Sequence, residues 1–284
     1  MLSQIFQWWQ TIPEHISPVL FSIGTFQIRY YSLMYLVTFY VTYRLVMRSV
    51  RRSNLPYTEE TIQEYFIWAI FGLLLGARLG YVLFYNASYF LSHPFAVILP
   101  FDFNHGRGFV YTGISGMSYH GGLVGVAVAT LAFCYRRSIN FWRLADLFCA
   151  EIPLAYTFGR LGNFLNGELY GRITTMPWGM YFPGDLHGRL RHPSQLYEAF
   201  FEGIFIYFVI RRIRRTADFD GFVFSLYLIC YGTVRFFIEF FRQPDAHIGF
   251  VTGSFTMGQV LCVFMVILGG AVMAVRKASR DREP

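Results

Sequence analysis

The chain has 284 residues, of which 55% are hydrophobic and 20% aromatic but only 14% charged, with a formal net charge of +7. A soluble globular domain carries about 25% charged residues, so there is too little charge to coat soluble domains of this length. Several windows of about 20 residues are almost free of charge, which is the length needed to cross a hydrocarbon core of roughly 30 Å.

The first residues, "MLSQIFQWWQTIPEHISPVLF", lack a basic stretch and a small-residue cleavage site, so no cleaved signal peptide is expected. Trp8 and Trp9 suit either a segment lying on the membrane surface or an ordinary surface loop. Seven apolar stretches follow, at 24–43, 63–84, 117–135, 142–159, 196–212, 219–240 and 254–275. They are long runs rather than the short alternating strands of a membrane β-barrel. No internal repeat is visible and the connections are short. The expectation is an all-α, polytopic helical membrane protein of about seven transmembrane helices, forming one integral-membrane domain over 1–284.

The arginines set its orientation. "RLVMRSVRRS" (44–53), "YRRSINFWR" (135–143), "RRIRRTADFD" (211–220) and "VRKASRDREP" (275–284) follow the first, third, fifth and seventh stretches. The positive-inside rule makes those ends cytoplasmic, with the N-terminus outside and the C-terminus inside. The excess positive charge is then topology plus attraction to anionic membrane lipid, and no nucleic acid is called for. Cys134, Cys149, Cys230 and Cys262 fall in or beside the stretches with no CxxC spacing. They read as buried thiols, implying neither a disulfide frame nor a metal site.

Charge on the outward side is harder to explain by topology. The segment 159–195 holds Arg160, Arg172, Arg189 and Arg191, and Arg242 lies beyond the sixth stretch. Arg78 sits inside "LLLGARLGYVLFYN", and Arg235 and Glu239 inside "YGTVRFFIEFFRQPD". A charge at mid-membrane costs somewhere between about 3 and 15 kcal/mol, so such residues face a protein interior or a water-filled cavity. Arg235, Glu239 and Arg242, spaced i, i+4, i+7, would share one helical face. A buried ion pair joining helices is the plain alternative for Glu239; three aligned charges favour a polar cavity. In "GRLGNFLNGELYG" (159–171), Asn163 lies one helical turn from Arg160 if the helix continues. Guanidinium forks and glycine-rich backbone both suit phosphate. A phosphate-bearing ligand at an outer membrane surface is first of all a phospholipid headgroup.

"GRLGNFLNGELYG" resembles the signature of the phosphatidylglycerol–prolipoprotein diacylglyceryl transferases. "FSIGTFQIRYYSLMYL" (21–36), "GARLGYVLFYN" (76–86), "GMSYHGGLVG" (116–125), "RHPSQLYEA" (191–199) and "RFFIEFFRQPDA" (235–246) resemble further blocks of that family in the expected order. The resemblance covers nearly the whole chain. Two departures stand out: "YTGISG" precedes "MSYHGG", with Tyr119 where the family has phenylalanine, and "FDFNHGRGFVY" (101–111) is longer than usual.

The resemblance implies a reaction. The sn-1,2-diacylglyceryl group of phosphatidylglycerol passes to the lipobox cysteine thiol of a preprolipoprotein, forming a thioether and releasing glycerol 1-phosphate. It implies a bacterial inner-membrane enzyme with its site toward the outer side, and no cofactor. Phosphatidylglycerol, lipobox-containing preprolipoproteins and membrane lipids are the partners. A thiol with its free pKa of about 8.5 is mostly protonated at neutrality, and the thiolate is the nucleophile. His120 is therefore the candidate base, although the positive field of the arginines could ionise the thiol unaided. Arg160 matches a residue that contacts the headgroup, and Arg235 and Tyr31 match residues the family needs for activity; Glu239 is set with His120 among the catalytic candidates.

Each remaining candidate has an alternative. Glu168 orients Arg160 or Arg235, or is simply solvated. Asn163 binds headgroup oxygens or caps a helix. Gly171 serves backbone conformation or close packing. Arg78 holds the headgroup or bridges helices. Arg242 joins the substrate-binding set, and His192, before Pro193, binds substrate or shapes a turn. A transporter for an anionic substrate is the rival class, but it would favour repeated, interrupted halves, and only one Gly-rich break is present.

Overall fold

The computed structural model describes every residue except 1, 24–25, 86, 98–100, 103–109, 112–115, 245–248, 254 and 283–284. Most of the long 101–111 loop therefore lies outside the described residues. In chain order the helices are α1 (Leu2–Thr11), α2 (Tyr30–Arg52), α3 (Glu59–Tyr85), α4 (Ala87–Ser92), α5 (Tyr119–Arg137), α6 (Phe141–Cys149) and α7 (Ile152–Leu165). Then come α8 (Ser194–Tyr197), a π-helical stretch (Glu198–Phe205), α9 (Ile206–Ile213), α10 (Phe222–Ile238) and α11 (Met257–Arg280). Three antiparallel two-stranded hairpins interrupt them: β1 (Val19–Ile23) with β2 (Phe26–Arg29), β3 (Phe101–Asp102) with β4 (Val110–Tyr111), and β5 (Phe250–Thr252) with β6 (Phe255–Thr256). The fold is mostly helical. Among the described residues two helices, Glu59–Phe84 and Met257–Arg280, are long and apolar enough along their length to cross a membrane.

Among the described residues, each of the seven apolar stretches is mostly helix, with three differences of detail. The first was expected to begin at 24, but Phe26–Arg29 forms β2, paired Val19 to Arg29 and Ser22 to Gln27. Helix α2 starts only at Tyr30 and continues to Arg52, so "RLVMRSVRR" is helix rather than loop. The expected helix 142–159 is broken at Ala150 and Glu151, between α6 and α7. Pro153 near the start of α7 has no N–H to continue an upstream helix. The buried Glu151 carboxylate accepts from Ser49 Oγ at 2.5 Å and Arg214 Nη1 at 2.9 Å, which holds the break in place.

The chain forms two compact units, residues 1–53 with 142–284, and residues 54–141. In the first, α2 packs on α7, α7 on the π-helical stretch, and α10 on α11. Its core joins Cys149 and Ala150 to Ile206, Ile210 and Val223. A second cluster, Phe164, Met180 and Phe182, receives Trp9 from α1. Trp9 Nε1 donates to the Trp178 carbonyl at 2.9 Å, while Trp8 on the same helix points outward. The first helix is thus anchored on the 171–193 segment through one of the two tryptophans.

In the second unit α3 packs on α5 along a seam of glycines. A Cβ on Gly76 would lie 2.4 Å from the Gly121 carbonyl oxygen and 2.6 Å from Gly125 Cα, so the backbones touch. Small residues every fourth position are the usual means of close helix approach in membranes. An Arg137–Glu64 ion pair ties the far ends of the same two helices.

Candidate active site

The first unit brings together three helical segments that each carry charge into an apolar interior. Helix α7 presents Tyr156, Arg160 and Asn163 at i, i+4, i+7, so one face carries all three. The π-helical stretch presents Glu198 and Glu202, and the last turn of α10 presents Arg235, with Glu239 as its C-cap. Single-turn π geometry occurs frequently at functional sites.

Glu198 is the hub. Its carboxylate is fully buried, with Oε2 2.8 Å from Arg160 Nε and Oε1 3.0 Å from Arg235 Nη1. Arg235 also reaches Glu239 Oε2 at 2.8 Å and, less closely, Glu202 Oε1 at 3.4 Å. Tyr156 donates its hydroxyl proton to Glu202 Oε2 at 2.6 Å and accepts from Arg160 Nε at 2.5 Å. The Arg160 guanidinium also lies 4.8 Å over the Tyr156 ring. Two guanidiniums therefore meet three carboxylates. Both arginines are held in fixed orientation by acidic partners.

The signature segment completes this arrangement. Arg160 Nη1 donates to Asn163 Oδ1 at 3.3 Å, and Asn163 Nδ2 donates to Glu168 Oε1 at 2.9 Å. Asn163 is thus a buried bridge between Arg160 and Glu168. Glu168 bears on Arg160 through that amide, and its own carbonyl accepts from Gln195 Nε2 at 2.6 Å. Tyr31, in the first turn of α2, donates to Tyr35 at 2.9 Å, and its hydroxyl is within electrostatic range of Arg160 and Glu168.

Glu239 is set by α11 as well as by Arg235. Thr256 Oγ1 donates to Glu239 Oε1 at 3.2 Å, and Thr256 with Gln259 forms a capping box at the start of α11. A carboxylate beside a helix N-terminus meets favourable partial charge. A Cβ on Gly258 would come within 2.9 Å of Glu239 Oε1, so the missing side chain makes room for the acid.

Other expected residues are placed differently. Helix α10 ends at Ile238, so Arg242 does not continue the face of Arg235 and Glu239; it forms a β-bridge with Gly171. Beside this helix end the Arg172 guanidinium donates to the C-cap Glu239 carbonyl at 3.3 Å and to the Arg242 carbonyl at 2.9 Å. Gly171 is needed for close approach: a Cβ there would lie 2.3 Å from the Phe241 carbonyl oxygen and 2.8 Å from His192 Cβ. His192 is a framework residue of this junction, its backbone paired with Gly171 and Arg172 and its ring 3.1 Å from the Tyr197 hydroxyl. Burial pushes its ring below the ordinary histidine value. Nearby, Arg191 binds Asp185 through two bonds of 2.8 and 2.9 Å. Those bonds hold the Asp185 carboxyl down at about 2.

Arg78 and His120 belong to the second unit. Arg78 donates to the carbonyls of Val97 at 2.8 Å, Ala96 at 2.6 Å and Gly116 at 3.3 Å, which organises the turn beside α4. His120 is exposed in the first turn of α5, after Ser118, whose hydroxyl caps the helix by accepting from the Gly121 amide at 3.2 Å. It borders an apolar groove of about 870 Å³ between α3 and α5.

Sequence reasoning missed Glu198, Glu202 and Tyr156. The signal was present for the acids: "YEAFFEGIF" places two carboxylates four apart inside an apolar helix, the same feature that drew attention to Arg235 and Glu239. Among the described residues no cluster of histidine, cysteine or carboxylate side chains could hold a metal ion.

With this geometry in place, comparison with known proteins is decisive. Residues 18–275 match the family described as prolipoprotein diacylglyceryl transferase. The chain belongs to that family. It is 48% identical over 270 residues to the phosphatidylglycerol–prolipoprotein diacylglyceryl transferase of Chlorobaculum tepidum, covering 95% of this chain and 93% of that protein. Proteins of the same name from Campylobacter hominis and Wolinella succinogenes are 43% and 41% identical, each over more than nine-tenths of both chains. The family does not favour the transporter reading.

Proposed function

We propose that this protein transfers the diacylglyceryl group of phosphatidylglycerol to the lipobox cysteine of a preprolipoprotein, the first step of bacterial lipoprotein modification. The observation that carries the reading is the pair Arg160 and Arg235, brought from two helices onto one buried carboxylate within a chain of this family. The cysteine sulfur bonds to the glycerol carbon that carries the phosphate. The C–O bond breaks, its electron pair stays on the phosphate oxygen, and glycerol 1-phosphate departs with one more negative charge than the diester had.

Arginines aimed at that oxygen gain more from the transition state than from the bound lipid. Arg160 and Arg235 do this work, Asn163 and Glu168 hold Arg160, and Glu239 positions Arg235. Tyr31 contacts the glycerol or the phosphate. Gly171, Arg242 and His192 shape the segment beneath the headgroup, and Arg78 shapes the turn beside α4. His120 takes the thiol proton, a role suited to a side chain with an unperturbed pKa of about 6.5. No metal or soluble cofactor is required.

The whole chain acts as one inner-membrane domain with seven crossings and the site toward the outer side. Support comes from the basic last turns of α2, α5, α9 and α11, which by the positive-inside rule favour a cytoplasmic side for those four helix ends, and from a family match that runs through both units. The test is direct. Purified protein in vesicles, given radiolabelled phosphatidylglycerol and a lipobox peptide, labels the peptide but not its Cys→Ser version. No transfer to the cysteine peptide overturns the reading.

A further inference from the structure

The charges around Glu198 do not balance. Arg160 and Arg235 bring two positive charges; Glu198, Glu202 and Glu239 could bring three negative ones, all at most 5% exposed. A phosphodiester arriving at this site would add another. An uncompensated carboxylate in such surroundings costs several kcal/mol, and a buried acid avoids that cost by keeping its proton.

The geometry selects which acid does so. Glu198 takes the near contacts of both guanidiniums, at 2.8 and 3.0 Å. Glu239 has Arg235 Nη2 at 2.8 Å and Thr256 at the start of α11. Glu202 has only a 3.4 Å approach from Arg235 Nη1, a nitrogen already committed to Glu198. Its short contact is with a neutral phenol, Tyr156, at 2.6 Å. The charged groups facing Glu202 are thus Arg160 from α7, Arg235 from α10 and Glu198 from its own segment, and the nearer cations are already matched.

We infer that Glu202 works as a neutral carboxylic acid and is a positioning residue for Arg160, acting through the Tyr156 hydroxyl. Arg160 donates to Tyr156 and Tyr156 donates to Glu202, so the acid fixes the phenol that fixes the guanidinium. Neutrality matters because an ionised Glu202 would compete with the lipid phosphate for the same arginines. Its effect on turnover rests on the transferase reading above; its protonation state does not.

The experiment uses full-length protein in phosphatidylglycerol vesicles. Infrared difference spectra in H₂O and D₂O should show the carbonyl stretch of a protonated carboxylic acid, shifted in Tyr156→Phe and absent in Glu202→Gln. In transfer assays, Glu202→Ala should raise the KM for phosphatidylglycerol about tenfold, the size of one lost hydrogen bond. Glu202→Gln, the uncharged mimic of the acid, should restore most of that loss, while Glu202→Asp should not. Absence of the protonated-acid band overturns the inference whether or not transfer is seen. A correctly inserted Glu202→Gln protein as impaired as Glu202→Ala also overturns it.

Discussion

Replacing Glu198 with glutamine keeps the shape of the side chain but removes its charge, and so isolates the effect of the carboxylate. At present the Glu198 carboxylate, with no exposure to solvent, pairs with Arg160 at 2.8 Å and accepts a hydrogen bond from Arg235 Nη1 at 3.0 Å. A hydrogen bond to a charged group contributes about 1.5–3 kcal/mol, roughly twice a neutral one. The amide keeps one acceptor oxygen and presents an NH₂ group to a guanidinium that cannot accept from it. One of the two buried ion-pair contacts is therefore lost and the other weakened, for a total of about 3–4 kcal/mol. If that loss falls on the orientation of the arginines in the transition state, turnover drops by about two to three decades, at 1.4 kcal/mol per decade. The assay is transfer of labelled diacylglyceryl to a lipobox peptide in vesicles, with kcat and KM measured separately. Thermal unfolding of the same sample shows how much of the loss is stability. A stably inserted Glu198→Gln protein with kcat within threefold of wild type would refute the reasoning, because the shared carboxylate would then not govern either arginine.

His120→Gln should lower turnover by at least about a hundredfold, the lower end for positioned proton transfer, with partial recovery at high pH as the thiol ionises alone; an unchanged rate and pH profile removes it as the base. Gly171→Ala should cost more than about 2 kcal/mol and lower the yield of folded protein, since its Cβ would meet the Phe241 carbonyl oxygen at 2.3 Å; unaltered thermal stability would contradict this. The Asp185 carboxyl, held at about 2 by Arg191 against an ordinary 3.8, contributes stability above about pH 4 that is lost as pH falls toward 2, on the order of 1 kcal/mol after solvent screening. Proteolysis of the 171–193 segment should accelerate over that window, and in Asp185→Asn it should be fast already at pH 5. In a cysteine-free background, Thr175→Cys should react with an impermeant thiol reagent from outside the cell and Ala278→Cys only after the membrane is opened; the reverse pattern would invert the proposed topology.

The helices and the charges set inside them were legible in the chain itself because both are local properties. Within one segment, an apolar run of about 20 residues satisfies its backbone in an apolar medium as helix, and each of the seven stretches is mostly helix among the described residues. Charged residues inside such runs are costly wherever they point, which singled out Arg235 and Glu239, and the ordered blocks around Arg160 carried the family. What tertiary structure decided are the partnerships and the ends. Glu198 lies 37 residues from Arg235 and meets it only because the π-helical stretch packs against both α7 and α10. Periodicity places Arg242 on the face of Arg235, yet α10 stops at Ile238 and Arg242 instead bridges to Gly171, with Arg172, 67 residues away from Glu239, donating to the Glu239 carbonyl. Likewise the break before Ile152 depends on Ser49 and Arg214 closing on Glu151. Helix formation is set by neighbours in sequence, whereas the site's electrostatics are set by groups that become neighbours only on packing. A buried charge therefore announces itself in the sequence, but the group that compensates it does not.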